Sequence, residues 1–256
     1  MNGATTATTA WRTGPRVSAL PRRVADELAI TEYERVSAVL RELRTEEWSC
    51  QTACPGWDVK AMASHMLGMA EFAATVRENL RQGRAARRAG GVWIDSLTAL
   101  QVAEHAHLTT DELVTRFAAV APRAARGRRR VPGFIRHRTM PDEQPVGDTT
   151  EPWTYGYVIE TIGTRDNWMH RLDIAVATGR APVLTARHDG TLIADVAAEW
   201  ASRHGQPCTL RLTGPAGGTF EFGAGGPTMG LDATEFCRIL AGRCAGDGLL
   251  SFPVPF

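Results

Sequence analysis

Arg165-Asp166-Asn167-Trp168-Met169-His170-Arg171-Leu172-Asp173 decides how the rest of the chain is read. The run has helical character and stops at Gly179, with Pro182 beyond it, the usual grammar of a helix C-terminus. It sets Asp166 four residues before His170. Positions i and i+4 stack on one helix face, so a carboxylate and an imidazole here can reach one divalent metal ion. A surface ion pair has the same spacing, so a metal site needs a third ligand from elsewhere. The candidate is His65, seven residues after Asp58.

Working outward, Asp58 reads as an N-cap, and a helix is expected over about Val59 to Gln82. Met62, His65, Met66, Met69, Ala73 and Val76 recur by threes and fours and would form its buried face. An earlier helix is expected from about Val24 to Glu47, and the turn-rich, aromatic run Trp48 to Trp57 separates the two. Gly83 to Gly91 reads as a basic linker, and a third helical region starts near Val92. Thr109-Thr110-Asp111-Glu112 has capping-box form, so that region should break and restart there, ending near Ala125. From Pro122 to Pro152, with Pro132, Pro141 and Pro145 between them, a long irregular crossover is expected. The fourth long helix, Trp153 to Thr178, carries the opening stretch. One long connection among short ones fits a bundle with a non-adjacent crossover.

Beyond Pro182 a helix from His188 to His204 precedes two strand-like runs, Cys208–Leu212 and Thr219–Phe222. A last helix, Ala233 to Ala241, is capped by Asp232, and Leu249–Phe252 reads as a final strand. The expected organisation is therefore a tail (1–23), a four-helix bundle (24–180) and a small α+β domain (181–256).

The totals exclude several classes. With 29 basic and 28 acidic residues, the net charge of +1 gives no reason to expect a nucleic-acid or membrane partner. The run Arg123 to Arg138 lacks the interleaved aromatics of a nucleic-acid module and reads as a solvated loop near the site. Five cysteines without a zinc-ribbon or C-x-x-C spacing suit a reducing compartment, and no apolar run spans a membrane, so a cytoplasmic protein is expected. Cys54, in a turn, reads as packing. His105 and His107, two apart, point to different sides of a helix. Gly223-Ala224-Gly225-Gly226 lacks the continuation of a phosphate loop.

Two blocks carry a resemblance. Cys54-Pro55-Gly56-Trp57-Asp58-Val59 with His65-Met66-Leu67-Gly68, and Arg165 through Ala175 ending in Gly179, resemble the mycothiol-dependent maleylpyruvate isomerase family. That family belongs to the DinB/YfiT-like superfamily of four-helix metalloproteins. Asp232–Phe236 leading to Leu240-Ala241-Gly242-Arg243 resembles its C-terminal domain. The resemblance implies a mainly α fold, a DinB-like four-helix bundle with a smaller C-terminal α+β domain. It places three metal ligands on His65, Asp166 and His170, where family members usually have glutamate at the position of Asp166. It implies a divalent metal and mycothiol or a related low-molecular-weight thiol as co-substrate; zinc is the first expectation for the metal, although ligand type alone does not separate it from nickel, iron or manganese.

Two imidazoles and one carboxylate leave a coordination position open, the pattern of catalytic rather than structural zinc. A thiol entering there would ionise and become the nucleophile. The first expectation is accordingly a metal-dependent thiol S-transferase acting on a small electrophile, including thiol exchange in natural-product biosynthesis. The alternative is a mycothiol-dependent cis–trans isomerase of a maleylpyruvate-type acid. A third, of another class, is a non-catalytic DinB-like binding module. Arg165 and Arg243 are candidates for holding a substrate carboxylate, and Asp173 for orienting His170. Partners are a small-molecule thiol and an electrophile, and a homodimer is compatible with the pattern.

Overall fold

The computed structural model describes residues 14–256, so most of the expected N-terminal tail lies outside the described residues. Contacts divide the described chain into two units. One comprises residues 20–138, 155–182 and 256, and the other residues 14–19, 139–154 and 183–255.

The first unit is helical, as the sequence leads one to expect. α1 (Arg22–Glu42) ends before a 3-10 turn, Thr45–Ser49, which occupies the expected last turns of that helix. Cys54-Pro55-Gly56-Trp57 then forms a β-turn in which the Trp57 amide donates to the Cys54 carbonyl. Proline second and a glycine at φ +78° third are the requirements of a type II turn. α2 (Val59–Ala74) starts where Asp58 accepts from the Ala61 amide at 2.7 Å.

α2 is shorter than expected. The chain breaks at Thr75, whose extended backbone (φ −145°, ψ 146°) caps a new helix, α3 (Val76–Ala89), by accepting from the Glu78 amide at 3.2 Å. Val76, expected inside, is 76% exposed, and the expected basic linker is mostly the rest of α3. α4 (Trp93–His105) and α5 (Thr110–Arg130) meet at the expected break, with both halves of the Thr109/Glu112 capping box formed.

The expected irregular crossover from Pro122 is also corrected. α5 runs through Pro122, which lies on its exposed face, as far as Arg130. There the missing N–H costs a single hydrogen bond. Gly127 lets α5 approach α2, because a Cβ there would lie 2.0 Å from the Ala73 carbonyl oxygen. A short turn, α6 (Gly133–Arg136), follows. The chain re-enters the unit through α7 (Tyr155–Tyr157), a π-turn (Val158–Ile162) and α8 (Gly163–Thr178). Gly179, at φ +67°, closes α8 in the left-handed conformation. The core joins Tyr33, Val36 and Leu40 of α1, Met62 and Met66 of α2, Phe117 and Ala124 of α5, and Ile174 of α8.

The other unit holds a hairpin, β1 (Gln144–Val146) with β2 (Thr149–Glu151), inside what was expected to be a structureless connection. α9 (Asp189–His204) leads to β3 (Cys208–Thr213), which pairs antiparallel with β4 (Gly218–Phe222) and parallel with β5 (Thr228–Asp232). β5 has no alternating pattern, and only pairing with β3 makes it a strand. α10 (Ala233–Leu240) begins at Asp232, which accepts from the Thr234 and Glu235 amides. Trp200 stands edge-on to Phe236 in this unit's core. The expected strand at Leu249–Phe252 is instead a 3-10 turn, Gly248–Ser251, whose Leu249 carbonyl accepts from the Trp200 indole.

Candidate metal centre

The site lies in the helical unit, between α2 and α8. His65 projects from the second turn of α2, on the inward stripe of Met62 and Met66, and is 4% exposed. His170 is buried on α8, and the Asp166 side chain, one turn earlier, is 19% exposed. The three sequence candidates meet. Asp166 Oδ1 is 3.2 Å from His170 Nε2, Asp166 Oδ2 is 3.6 Å from His65 Nε2, and one donor atom from each residue lies within 4.8 Å of the others.

These spacings fit a cation. Four ligands about 2.0–2.2 Å from a tetrahedral ion are separated from one another by about 3.4 Å. The two Asp166 distances bracket that value, and 3.6 Å is too long for a good hydrogen bond. Asp166 Oδ2 is buried with no hydrogen-bond partner among the described residues, which leaves its lone pairs available to a cation. Burial raises the Asp166 carboxyl pKa, but His170 and then His65 overcome it, and the group is held well below the usual carboxylate range. Burial lowers the His170 pKa, and Asp166, helped by Asp173 and Cys54, drives it well above the ordinary imidazole value.

Each histidine is backed from behind. His170 Nδ1 lies 3.5 Å from Asp173 Oδ2, the arrangement anticipated for Asp173, and Cys54 Sγ is 3.9 Å from the same oxygen. Cys54 therefore does more than fill a turn: with His170 and Asp173 it forms a second close group of potential donors. His65 Nδ1 is 2.9 Å from Gln101 Oε1 on α4. The type II turn places the Trp57 ring 5.2 Å from that of His65 and 6.0 Å from that of His170.

Sequence reasoning gave no role to Gln101 or Trp57, nor to Arg128. Expected in a solvated loop, Arg128 is buried on α5, and its guanidinium donates to the Ile159 and Gly163 carbonyls and to Thr164 Oγ1. It thereby secures the π-turn that leads into α8, one turn before Asp166. The arginine run, read as a charge pattern, carried no signal of this. Arg165 is fully buried at the start of α8, its guanidinium carbon 6.0 Å from the centre of the Phe256 ring. Arg243 belongs to the other unit and donates to the Ala241 carbonyl. His105, set aside as a ligand, pairs with Glu71 at 3.1 Å.

The helical unit, with His65, Asp166 and His170 brought together between two of its helices, is consistent with the DinB-like bundle the sequence resemblance implies. The chain belongs to the mycothiol maleylpyruvate isomerase N-terminal domain family, whose model matches residues 30–175, and so stands among thiol-dependent enzymes. Two solved structures are similar over nearly the whole chain, the mycothiol-dependent maleylpyruvate isomerase and a histidine-to-alanine mutant of it. Each has a TM-score of 0.56 at 16% identity, covering 93% of this chain and 98% of the other. At that identity they bear on the fold alone. A search of curated protein sequences gives no match. Among the described residues no helix is long and apolar enough to cross a membrane, and all five cysteines are free.

Proposed function

We propose that this chain is a metal-dependent isomerase of a maleylpyruvate-type cis acid, with mycothiol or a related low-molecular-weight thiol as co-substrate. His65, Asp166 and His170 hold the metal, and zinc suits their two nitrogens and one oxygen. The observation that carries the reading is the convergence of these three side chains in a chain whose residues 30–175 match this family. When bound, the ion would lower the pKa of a thiol brought to it, so that thiolate is available at neutral pH.

The chain's own residues do the rest. Gln101 keeps Nδ1 of His65 occupied at 2.9 Å, leaving its Nε2 lone pair for the ion, and the Asp173 carboxylate, 3.5 Å from His170 Nδ1, favours the same orientation of His170 by its charge. Trp57 packs at a tilt against both rings and helps to hold them in place. Thiolate addition to the cis double bond leaves a single bond, rotation about it follows, and elimination restores the double bond as trans and returns the thiol. No atom is gained or lost, and no protein nucleophile is required. Thiol S-transfer would use the same site, but there the thiolate would displace a leaving group or open a ring, and the sulfur would stay on the product.

The test is to give zinc-loaded protein the thiol and a maleyl-type diacid and follow the product by proton NMR. A trans product without sulfur, absent with metal-free protein and with His170→Ala, is expected. A product that retains the thiol would replace isomerase with transferase. No thiol-dependent change on either diacids or electrophiles would sink the enzymatic reading.

A further inference from the structure

Behind His65 lies a line of buried amides. Gln101 and Gln82 are both fully buried. Gln101 Oε1 faces His65 Nδ1 at 2.9 Å, while its Nε2 donates to Gln82 Oε1 at 2.9 Å and to Met69 Sδ at 3.2 Å. Gln82 Nε2 in turn donates to the Gly68 carbonyl at 3.2 Å and to Glu78 Oε1 at 3.0 Å.

The direction of this line is set at its outer end. A backbone carbonyl and an ionised carboxylate accept and cannot donate. Gln82 must therefore turn its NH2 toward Gly68 and Glu78, which leaves its oxygen toward Gln101. Gln101 must then present its own NH2 to that oxygen and to the Met69 sulfur, which leaves its oxygen toward His65. Only a protonated Nδ1 satisfies that oxygen, so in the neutral ring Nε2 is the bare nitrogen. Flipping either amide would place oxygen against oxygen in a buried setting.

We propose that Gln82 and Gln101 are positioning residues that fix the tautomer and ring orientation of His65 through two successive amides. The inference rests on the proposed role of His65 as a metal ligand, but the tautomer itself is independent of any metal. It explains two features that the fold alone leaves idle. The break at Thr75 turns α3 back so that Gln82 reaches the Gly68 carbonyl of α2. Gly68, one turn after His65, admits Gln101: a Cβ there would lie 2.5 Å from both Gln101 Cβ and Cγ.

The test uses the full chain. The ring nitrogens of His65 are read by 15N NMR in metal-free protein, and zinc affinity is read by competition with a chromophoric chelator. Wild type should show Nδ1 protonated and Nε2 bare. Gln101→Met should lose that signature and weaken zinc binding by about 10–100-fold, the range for supporting partners of metal ligands. Gln82→Met, which touches neither His65 nor the ion, should also blur the signature and weaken zinc, by less. Gln82→Glu should keep the signature, because a carboxyl still accepts from Gln101. A space-filling role would reverse that order, with methionine harmless and glutamate harmful, and would overturn the proposal. So would an unchanged tautomer in both methionine variants. If wild type takes no zinc while the tautomer still responds to Gln82→Met, the metal reading fails and the relay stands.

Discussion

α2 and α8 meet at one site, yet they are buried by opposite chemistry. α2 brings His65 in among Met62, Met66 and Leu67, a single polar ligand on an apolar stripe backed by neutral amides. α8 buries Arg165, Asn167, His170, Arg171 and Asp173 within nine residues, and its ligands are backed by charge. Arg171, for example, lies 2.6 Å from Glu32 of α1, and the two side chains are 2% and 1% exposed. An apolar helix is held by shape and tolerates small polar adjustments. A helix buried through paired charges is held only while the pairs persist. The α8 side should therefore be the brittle one.

The largest effect expected is loss of the ion. His170→Ala and Asp166→Ala should each weaken zinc binding by more than about 100-fold, exceeding what supporting partners cost. The comparison is sharpened by stability measured on the same metal-free variants. His65→Ala, which leaves the neutral Gln101 oxygen without its donor, should lower the denaturant midpoint modestly, whereas Asp166→Ala, which leaves His170 charged or desolvated in a buried position, should lower it further. Equal midpoints would break the contrast between the two helices.

Next in size is Glu32→Ala. It takes one carboxylate from a buried guanidinium, and breaking such a pair costs about 3–5 kcal/mol. A urea-unfolding loss under about 1 kcal/mol would mean that α8 is packed by shape after all.

This contrast also explains what the sequence made legible. The inward stripe of α2 was readable because methionines and His65 recur at helical spacing. α8 has buried residues on every side, so periodicity could not orient it, and only the Asp166/His170 spacing marked its working face. The break at Thr75 was missed although Thr75 and Glu78 have capping-box spacing, because apolar positions continue in phase through Val76. The sequence pattern ends this helix near Ala125 rather than at Arg130, because the exposure of the Pro122 face in α5 depends on packing, which no local pattern shows. Gln82 and Gln101 were invisible for a related reason: their role is defined by a contact across 19 residues, after a break that was not foreseen.

A smaller effect should come from Gly68→Ala. In an isolated helix the change would be favourable by about 1 kcal/mol. Here the new methyl meets Gln101 carbons at 2.5 Å, and overpacking of this kind costs about 1–3 kcal/mol. The net destabilisation should be roughly 1 kcal/mol. Zinc affinity should fall with it, because Gln101 must withdraw from His65. A stabilised variant with full affinity would show that α4 has slack and that the His65 side is less exactingly built than the distances suggest.

The smallest effect tests the tie between the two sides. Arg180, just past the end of α8, binds Glu47 in the turn before α2, with guanidinium nitrogens 2.7 and 2.9 Å from its carboxylate. The Arg180 hydrogen bond, aided by the Arg44 amide and side chain, lowers the Glu47 pKa from 4.5 to about 2. A folded pKa below the unfolded one means that the stabilisation is present in full above about 4.5 and is lost as pH falls toward about 2. Arg180→Ala should therefore be less stable than wild type at neutral pH, and the gap in denaturant midpoint should close across that window. A gap constant from pH 7 to pH 3 would assign the loss to packing of the arginine stem. The charge would then do nothing to join α8 to the start of α2, and the electrostatic character seen on α8 would stop at its own C-terminus.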